Sequence, residues 1–414
     1  MKKIVITGVG VVSPIGIGKN DYWDSLLNGR PGFQRITKFD AGAYPCQIDA
    51  EVKNFDPTLY MDKKKARRMD LFTQFALAAA KMAVQDAQLD LSKIDLERAG
   101  VIVGSGIGGL PTIESQHKIL LEKGPNRVTP FLIPMLITNI APGEIAMEYG
   151  FIGPNYSVSS ACATANQSIG AALMHMRNGD ADVMIAGGTE GAITPLGVAG
   201  FCQAQALTFD FNNNPAEASR PFDAKRSGFV MGEGAGIVIL ETEEHALKRG
   251  AKIYAELAGY GCTDDAYHIT APHPEAKASV RAMQLAIKDA KATLDEVNYI
   301  NAHGTSTSLN DKTETKAIKI VFGERAKKIP ISSTKSMTGH LLGAAGGVEL
   351  IATLLCMENK IIHPTINYST PDPECDLDYV PNKPRNQEIT CALSNSLGFG
   401  GHNAVLVVRK YGKS

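Results

Sequence analysis

The chain has 414 residues, and its 42 basic and 43 acidic side chains give a formal net charge of −1. This balance excludes a general nucleic-acid-binding protein, which carries a basic excess. No apolar run approaches the ~18 residues that span a bilayer. The seven cysteines include no C-x-x-C pair, which argues against a disulfide framework or a zinc site and favours a reducing compartment. We therefore predict a cytoplasmic protein that binds neither nucleic acid nor membrane.

Buried strands alternate with helical patterns along the chain. The first strand begins at Ile4 and runs into a glycine-containing turn, a pattern unlike that of a signal peptide. Further strands are predicted over Ala99–Gly104, Asn155–Ser160, Ala181–Gly187, Gly236–Leu240, Val297–Ile300, Cys391–Ser394 and Ala404–Val408. Helices are predicted over Phe75–Ala87, Asn166–Arg177, Ala278–Ala290 and Gly347–Glu358. Such alternation is typical of an α/β protein with a parallel or mixed sheet.

The second half of the chain repeats a pattern of the first. Ser159-Ser160-Ala161-Cys162 and Ser332-Ser333-Thr334-Lys335 each lead into a helix rich in small residues. Each helix is followed by a short apolar strand and later by a closing strand. The pattern predicts two duplicated halves, residues 1–250 and 251–414. The alternative is a coincidence between two stretches rich in glycine and alanine.

Cys162 is the first candidate for chemistry because it follows a strand and precedes a helix. A helix N-terminus offers free N–H groups and a partial positive charge, which favour the thiolate and can bind an oxyanion. We expect the cysteine to be a nucleophile with a lowered pKa. The alternative is a cysteine packed at the start of a helix.

Two histidines also lie where strands give way to loops. His303 follows the strand over Val297–Ile300, and Thr305 and Thr307 beside it offer hydroxyl groups suited to the amides of an extended substrate. The alternative for His303 is a side chain satisfied by backbone contacts. His340 follows Lys335, and Glu314 is the expected partner of this lysine.

Two further segments have unusual composition. Leu397-Gly398-Phe399-Gly400-Gly401 indicates a mobile flap or, alternatively, a bulged turn with a core phenylalanine. A basic run indicates a docking surface for an acidic partner or, alternatively, an ordinary solvated face. The run comprises Lys63, Lys64, Lys65, Arg67 and Arg68.

Four motifs, taken in order, resemble those of the β-ketoacyl-[acyl-carrier-protein] synthases of the thiolase superfamily. The motifs are Ser160-Ala161-Cys162-Ala163-Thr164, Asn301-Ala302-His303-Gly304-Thr305, Lys335-Ser336-Met337-Thr338-Gly339-His340 and Asn395-Ser396-Leu397-Gly398-Phe399-Gly400-Gly401. The resemblance covers essentially the whole chain. The Cys-His-His set, Ile107 in its glycine-rich segment and the segment over Asp265–Thr270 match the type II pattern. Ala163–Gln167 departs slightly from that pattern, which leaves the preferred chain length open.

The resemblance implies a five-layer αβαβα fold with mixed sheets and a homodimer. It implies condensation of acyl-carrier and malonyl-carrier thioesters through an acyl-cysteine, without a required cofactor or catalytic metal. It also allows a structural monovalent cation near Asn301, Glu349, Ser394 and Asn395. The implied partner is an acyl carrier protein with a phosphopantetheine arm, which would dock on the basic run.

The resemblance also implies roles for individual residues. Cys162 is the nucleophile, His303 and His340 stabilise the enolate, and Lys335, held by Glu314, organises the histidines. Phe399 contributes an N–H to the oxyanion site and acts as a gate. The implied substrate contacts are Ile107, His268, Thr270, Thr305, Thr307, Gly398 and Gly400. The alternatives are a type I or polyketide ketosynthase of the same fold and a non-catalytic scaffold that binds acyl carriers.

Overall fold

The computed structural model describes residues 2–412. Its strands are β1 Ile4–Ser13, β2 Gly16–Ile17, β3 Gln34–Arg35, β4 Ile48–Asp49, β5 Ala99–Gly104, β6 Asn155–Tyr156, β7 Val183–Glu190, β8 Gly234–Thr242, β9 Ala255–Asp264, β10 Tyr299–Asn301, β11 Ile331–Ser332, β12 Ile361–Ile362, β13 Arg385–Asn386, β14 Cys391–Gly398 and β15 His402–Arg409. Its α-helices are α1 Lys19–Leu27, α2 Lys63–Ala66, α3 Leu71–Asp86, α4 Leu110–Lys123, α5 Leu132–Leu136, α6 Ile140–Tyr149, α7 Thr164–Asn178, α8 Pro195–Gln203, α9 Glu243–Lys248, α10 Lys277–Asp289, α11 Ser308–Phe322, α12 Lys335–Thr338 and α13 Ala345–Asn359. Among the helices of residues 2–412, none combines the length and apolarity needed to cross a membrane.

The predicted strands and helices are present, most of them with shifted ends. The strand over Ala99–Gly104 is confirmed residue for residue as β5. The N-terminal run forms β1, which is buried along its whole length. The predicted strand over Asn155–Ser160 is wrong beyond Tyr156, because only its first two residues pair with β5.

Two groups of five strands repeat the same order. The first group runs β1-β8-β7-β5-β6 and the second β9-β15-β14-β10-β11. In both groups the first two pairings are antiparallel and the last two are parallel. β1 and β9 join the groups into one mixed sheet, where Val5 pairs with Glu256 and Ile6 with Ala255. This repeat confirms the two duplicated halves of the predicted fold class.

Helices cover both strand groups and separate them. α3 packs on β1 and β8, and α10 packs on β9 and β15. Between the groups lie α7, which contacts β5 and β7 as well as β9 and β15, and α13, which contacts β8 and β14. Every residue of α13 from Ala345 to Met357 is buried, as expected for a helix covered on all sides. The layers therefore follow the order αβαβα.

The segments with the recognisable motifs directly precede or follow these central elements. Cys162 lies two residues before α7, and His340 lies five residues before α13. His303 follows β10, and Phe399 follows β14. The two halves of the fold thus each contribute to the same site.

Candidate active site

Cys162 is held in a tight turn at the start of α7. The turn is a 3-10 helix over Ala161–Ala163 that runs directly into Thr164. Ala161 has a φ of +49°, a left-handed conformation that is uncommon for residues other than glycine. The backbone N–H of Ser160 donates to Oγ1 of Thr164 at 2.9 Å. These contacts place the cysteine side chain at the helix N-terminus, where the sequence predicts it.

His303 and His340 meet Cys162 in one buried cluster. Nε2 of His340 lies 2.9 Å from Sγ of Cys162, and the two imidazole rings are nearly perpendicular with centroids 5.3 Å apart. One nitrogen of each histidine and the sulfur all lie within 4.8 Å of one another. The cysteine is 9% exposed, and the two histidines are 3% and 2% exposed. Three side chains that are far apart in the sequence therefore share one small volume.

Hydrogen bonds fix the tautomers of both histidines. The backbone N–H of Leu342 donates to Nδ1 of His340 at 3.3 Å. The ammonium group of Lys335 lies 3.3 Å from Nδ1 of His303 and can only donate. Each neutral ring therefore carries its proton on Nε2, the nitrogen left free of these donors. Burial, followed by the charge of Lys335, holds the pKa of both imidazoles well below the usual range, so both are neutral donors at pH 7.

The acidity of Cys162 differs from the expectation drawn from the sequence. Burial raises the pKa of its thiol to about 12. The charge of Lys335 and a hydrogen bond from the Phe399 N–H lower it only in part, while the carboxylates of Glu190 and Glu349 add to the rise. The pKa of this thiol therefore lies above its usual range, opposite to the lowering expected from the helix N-terminus, because desolvation of the sulfur is the largest contribution.

The partner of Lys335 is Glu349, and the predicted pairing with Glu314 is wrong. The ammonium group of Lys335 forms a buried ion pair with Oε1 of Glu349 and donates to the carbonyl of His303 at 2.7 Å. Glu314 instead accepts the backbone N–H groups of His303 and Gly304, both at 2.8 Å. Its two oxygens are thus committed to the histidine loop, and the ammonium group turns to α13.

A cavity of about 390 Å³ reaches the Cys-His-His cluster. Its lining includes Cys162, His303, His340, Phe399, Gly398, Thr305, Thr307 and Thr270. The hydroxyls of Thr305 and Thr307 lie 2.9 Å apart, so the two threonines form one polar wall. The sulfur therefore lies on a continuous space that also touches the polar loops.

Three predicted contact residues, Ile107, His268 and Gly400, do not line this cavity. Ile107 packs in the apolar cluster that contains Cys162 and Phe399. His268 is exposed, and its Nδ1 accepts the N–H groups of Thr270 and Ala271. His268 therefore shapes the loop that carries Thr270 instead of facing the cavity.

Phe399 lies in the turn between β14 and β15. In this turn Gly400 and Gly401 have φ values of +85° and +86°, which glycine adopts without strain. The Gly400 N–H donates to the carbonyl of Ile269 at 2.7 Å. This bond ties the glycine turn to the loop over 265–273. A Cβ built on Gly398 would lie 3.1 Å from the backbone nitrogen of Cys162, so the turn passes close to the nucleophile.

Glu190 is a buried acidic residue of the site that was not predicted from the sequence. Its carboxylate accepts the hydroxyl of Ser105 at 2.7 Å and the backbone N–H groups of Gly106, Ile107 and Gly343 at 3.0–3.2 Å. It thereby joins the Ile107 loop to the segment after His340. The available signal was its place at the end of a buried strand, where a charge needs several partners.

Four buried oxygens on β10, β14 and α13 have no hydrogen-bond partner within residues 2–412. They are Oδ1 of Asn301, Oε2 of Glu349, Oγ of Ser394 and Oδ1 of Asn395. Asn301 and Ser394 are paired across β10 and β14, and Asn395 is the next residue of β14. Neutral oxygens with a single carboxylate form a donor set that fits a hard cation of low charge.

The basic run forms the short helix α2 and the turn after it. Lys63, Lys64, Arg67 and Arg68 are exposed. Lys65 is half-buried and pairs with Glu144 at 3.3 Å and Glu148 at 2.9 Å. Four of the five predicted docking cations therefore face solvent, and the fifth is engaged within the chain.

Comparison with known proteins agrees with this geometry. Residues 1–246 match the family model for the N-terminal domain of β-ketoacyl synthases, and residues 254–369 match the model for the C-terminal domain. The chain belongs to the β-ketoacyl synthase family.

Two curated relatives are named 3-oxoacyl-[acyl-carrier-protein] synthase 2. The protein from Synechocystis is 52% identical over 410 residues, which cover 99% of this chain and 98% of the relative. The protein from Staphylococcus aureus is 53% identical over 410 residues, which cover 99% of each. The similarity thus extends over the full length of this β-ketoacyl synthase.

Solved structures show the same fold. A type II polyketide ketosynthase in complex with its acyl-carrier protein is 39% identical with a TM-score of 0.91, covering 99% of this chain and 100% of that chain. A β-ketoacyl synthase from Burkholderia phymatum is 35% identical with a TM-score of 0.92, covering 100% of both. The thiolase-like fold class predicted from the sequence is confirmed.

Proposed function

We propose that this β-ketoacyl synthase is a type II 3-oxoacyl-[acyl-carrier-protein] synthase that elongates fatty acids by two carbons. It condenses acyl-carrier and malonyl-carrier thioesters to a 3-oxoacyl-carrier, with release of CO2. The observation that carries this function is the convergence of Cys162, His303 and His340 on one cavity. The full-length similarity to relatives named for this activity supports it.

Acyl transfer is the first step. Sγ of Cys162 attacks the carbonyl carbon of the acyl thioester, and the bond to the pantetheine sulfur breaks. The thiol is protonated at rest, so its proton leaves during the attack and ends on the departing pantetheine thiol. The N–H groups of Cys162 and Phe399 bind the oxyanion, and the Nε2–H of His340, 2.9 Å from Sγ, stabilises negative charge on the sulfur.

Condensation is the second step. The carboxylate of the malonyl group leaves as CO2, and its electron pair forms an enolate. The Nε2–H groups of His303 and His340 donate to the enolate oxygen, which is why two neutral imidazoles suit the site. The enolate carbon attacks the acyl carbon on Cys162, and the sulfur departs with the electron pair and takes a proton from water, which restores the resting thiol. The covalent intermediate predicts ping-pong kinetics.

The remaining predicted residues bind or shape substrates. Thr305 and Thr307 contact the amides of the pantetheine arm, and Thr270 and Gly398 line its path. Ile107 bounds the acyl chain from the apolar side. Lys335, paired with Glu349, orients His303 through its Nδ1. Phe399 gates the passage between the acyl and malonyl sites, with Gly400 in its hinge.

The exposed cations of α2 and the turn after it are the proposed dock for the carrier. An acyl carrier protein is acidic, and complementary charge steers such an encounter. Lys63, Lys64, Arg67 and Arg68 face solvent, whereas Lys65 contributes less because it pairs with two glutamates.

A homodimer in the cytoplasm, with functional halves over 1–250 and 251–414, completes the proposal. The edge strand β6 supports a dimer, because unpaired edges favour strand addition. Exposed Met147, Ile152 and Tyr156 lie on or beside it. A monovalent cation held by Asn301, Glu349, Ser394 and Asn395 would supply charge balance and rigidity behind the histidines, not a reaction step.

A polyketide ketosynthase is the second candidate, because a similar solved structure of that type is 39% identical in sequence to this chain. The decisive experiment incubates the protein with malonyl-carrier and acyl-carriers of graded length and identifies products by mass. We expect single two-carbon extensions. Repeated extension without reduction would support the polyketide interpretation.

Two variants test the nucleophile. Cys162→Ala should accept no radiolabelled acyl group and form no product, whereas Cys202→Ala, at another buried cysteine of the same apolar cluster, should retain labelling. Full labelling of Cys162→Ala would refute the mechanism. Carrier binding without any acylation of the wild type would indicate a scaffold.

A further inference from the structure

The turn that carries Thr305 and Thr307 has a strained backbone. Ser306 between them has a φ of +70°, a conformation that costs free energy unless the surroundings impose it. The Gly228 N–H donates to the Ser306 carbonyl at 3.0 Å, and the Arg220 N–H donates to its hydroxyl at 3.0 Å. Neighbouring chain segments, not the turn itself, therefore hold the two threonines in place.

Arg226 makes the largest set of these contacts. Its Nε donates to the carbonyl of Thr307 at 3.1 Å, and its Nη2 donates to the carbonyl of Ser308 at 3.2 Å. Its Nη1 donates to the carbonyl of Asp223 and to Oδ2 of Asp372, both at 2.7 Å. One planar guanidinium thus connects three separate segments at the edge of the cavity.

The charge of Arg226 is compensated from two sides. Its side chain is 2% exposed, and Oδ2 of the fully buried Asp311 lies 3.6 Å from Nε. Asp372 supplies the second carboxylate. A buried cation with this many directed bonds has little freedom to move, so the carbonyls that it binds are held in one geometry.

We propose that Arg226 is a positioning residue for the pantetheine arm, acting through the turn of Thr305 and Thr307. This inference rests on the proposed function, in which the two threonine hydroxyls contact that arm. Arg226 itself does not line the cavity. It fixes the backbone that aims the hydroxyls, and without it the turn relaxes from the strained conformation.

The test is Arg226→Lys, which keeps a cation beside Asp311 and Asp372. A lysine is a point charge without a planar fork, so it cannot reach the carbonyls of Thr307 and Ser308 together. The first readout is the pantetheine concentration that halves the rate of Cys162 alkylation by iodoacetamide. The second is the KM and kcat for malonyl-carrier.

We expect the half-protecting concentration and the KM each to rise about tenfold, as for the loss of one or two hydrogen bonds. The kcat and the unprotected alkylation rate should stay within about twofold, because chemistry at the sulfur is untouched. Arg177→Lys is the matched control, since Arg177 also joins an aspartate and a carbonyl, but these belong to Asp289 and Ala258 and not to the turn. It should leave every value unchanged.

A purely structural role of Arg226 would give a different pattern. Loss of folded enzyme lowers kcat and leaves KM unchanged, so that result would overturn the inference. The effects should also be non-additive: in a Thr305→Val/Thr307→Val background, Arg226→Lys should raise KM no further. If the wild type forms no 3-oxoacyl product but pantetheine protection still shifts in Arg226→Lys, the proposed function falls and the positioning role stands.

Discussion

At the scale of single residues, the acidity of Cys162 controls the rate of acyl transfer, because the thiolate is the nucleophile. Burial raises the pKa of this thiol to about 12, so the thiolate fraction should keep growing with pH throughout the stable range of the protein. We expect the rate of alkylation by iodoacetamide to rise about tenfold per pH unit from about pH 7 to about pH 10. Free cysteine, the reference, should level off above about pH 8.5.

A plateau of the Cys162 rate below about pH 8 would contradict this expectation, since even an unperturbed thiol titrates near there. It would show that the helix N-terminus and the charge of Lys335 outweigh desolvation. Cys162→Ala labelled under the same conditions corrects for the other cysteines, of which Cys262 is exposed.

A second prediction for single residues concerns the stability that the buried ion pair of Lys335 and Glu349 contributes. Removing one member leaves the other charge uncompensated in the core, which destabilises a protein strongly. In a double-mutant cycle, Lys335→Met and Glu349→Gln should show a coupling free energy of about 2–3 kcal/mol in urea unfolding. The matched cycle with Glu314→Gln should show about 0.5 kcal/mol or less, since Glu314 binds backbone N–H groups instead.

The sequence predicted which side chains meet at the site but not how their charges are paired. Cys162, His303 and His340 stand at the ends of predicted strands or the starts of helices, and such positions converge at one edge of a sheet. The choice between Glu314 and Glu349 depends on which carboxylate has unused oxygens after folding. That depends on three-dimensional hydrogen bonds, which no spacing in the sequence reveals.

At the scale of elements, the short helix α2 and the turn after it present their cations unevenly. Lys64 and Arg67 face solvent, whereas Lys65 lies against α6 and pairs with its glutamates. Lys64→Glu/Arg67→Glu should weaken acyl-carrier binding about tenfold at low salt, and the effect should shrink as salt screens the charges. Titration of the carrier by fluorescence anisotropy at two ionic strengths measures both quantities.

The control for α2 is a charge reversal elsewhere on the surface. Lys248→Glu/Lys288→Glu changes net charge equally at two exposed lysines of α9 and α10. Equal weakening of carrier binding by both double variants would show that the cations of α2 act only through the overall electrostatic field of the protein. The sequence alone counts five cations in this run, because the pairing of Lys65 appears only when α2 and α6 are packed together.

At the scale of the whole molecule, the repeat of strand order explains why both halves supply the site. α7 follows Cys162 in the first half, and α13 follows His340 in the second. The two helices lie side by side between the strand groups, so their N-termini bring the two motifs together. The sequence indicated the duplication through its serine-led helices, but the pairing of β1 with β9 involves residues without any distinguishing pattern.

In the central layer, α13 lies in very close contact with β8, and the last prediction tests this contact. A Cβ on Gly347 of α13 would overlap the carbonyl of Gly236 in β8, and both atoms belong to rigid elements that cannot yield. Gly347→Ala should therefore lower the free energy of unfolding by about 2 kcal/mol or more, although alanine favours helix. Gly143→Ala in α6 is the control, since a Cβ there meets nothing within 4 Å, and it should raise stability by up to about 1 kcal/mol. Urea unfolding followed by circular dichroism compares the two, and equal effects would mean that α13 can shift away from β8 without loss.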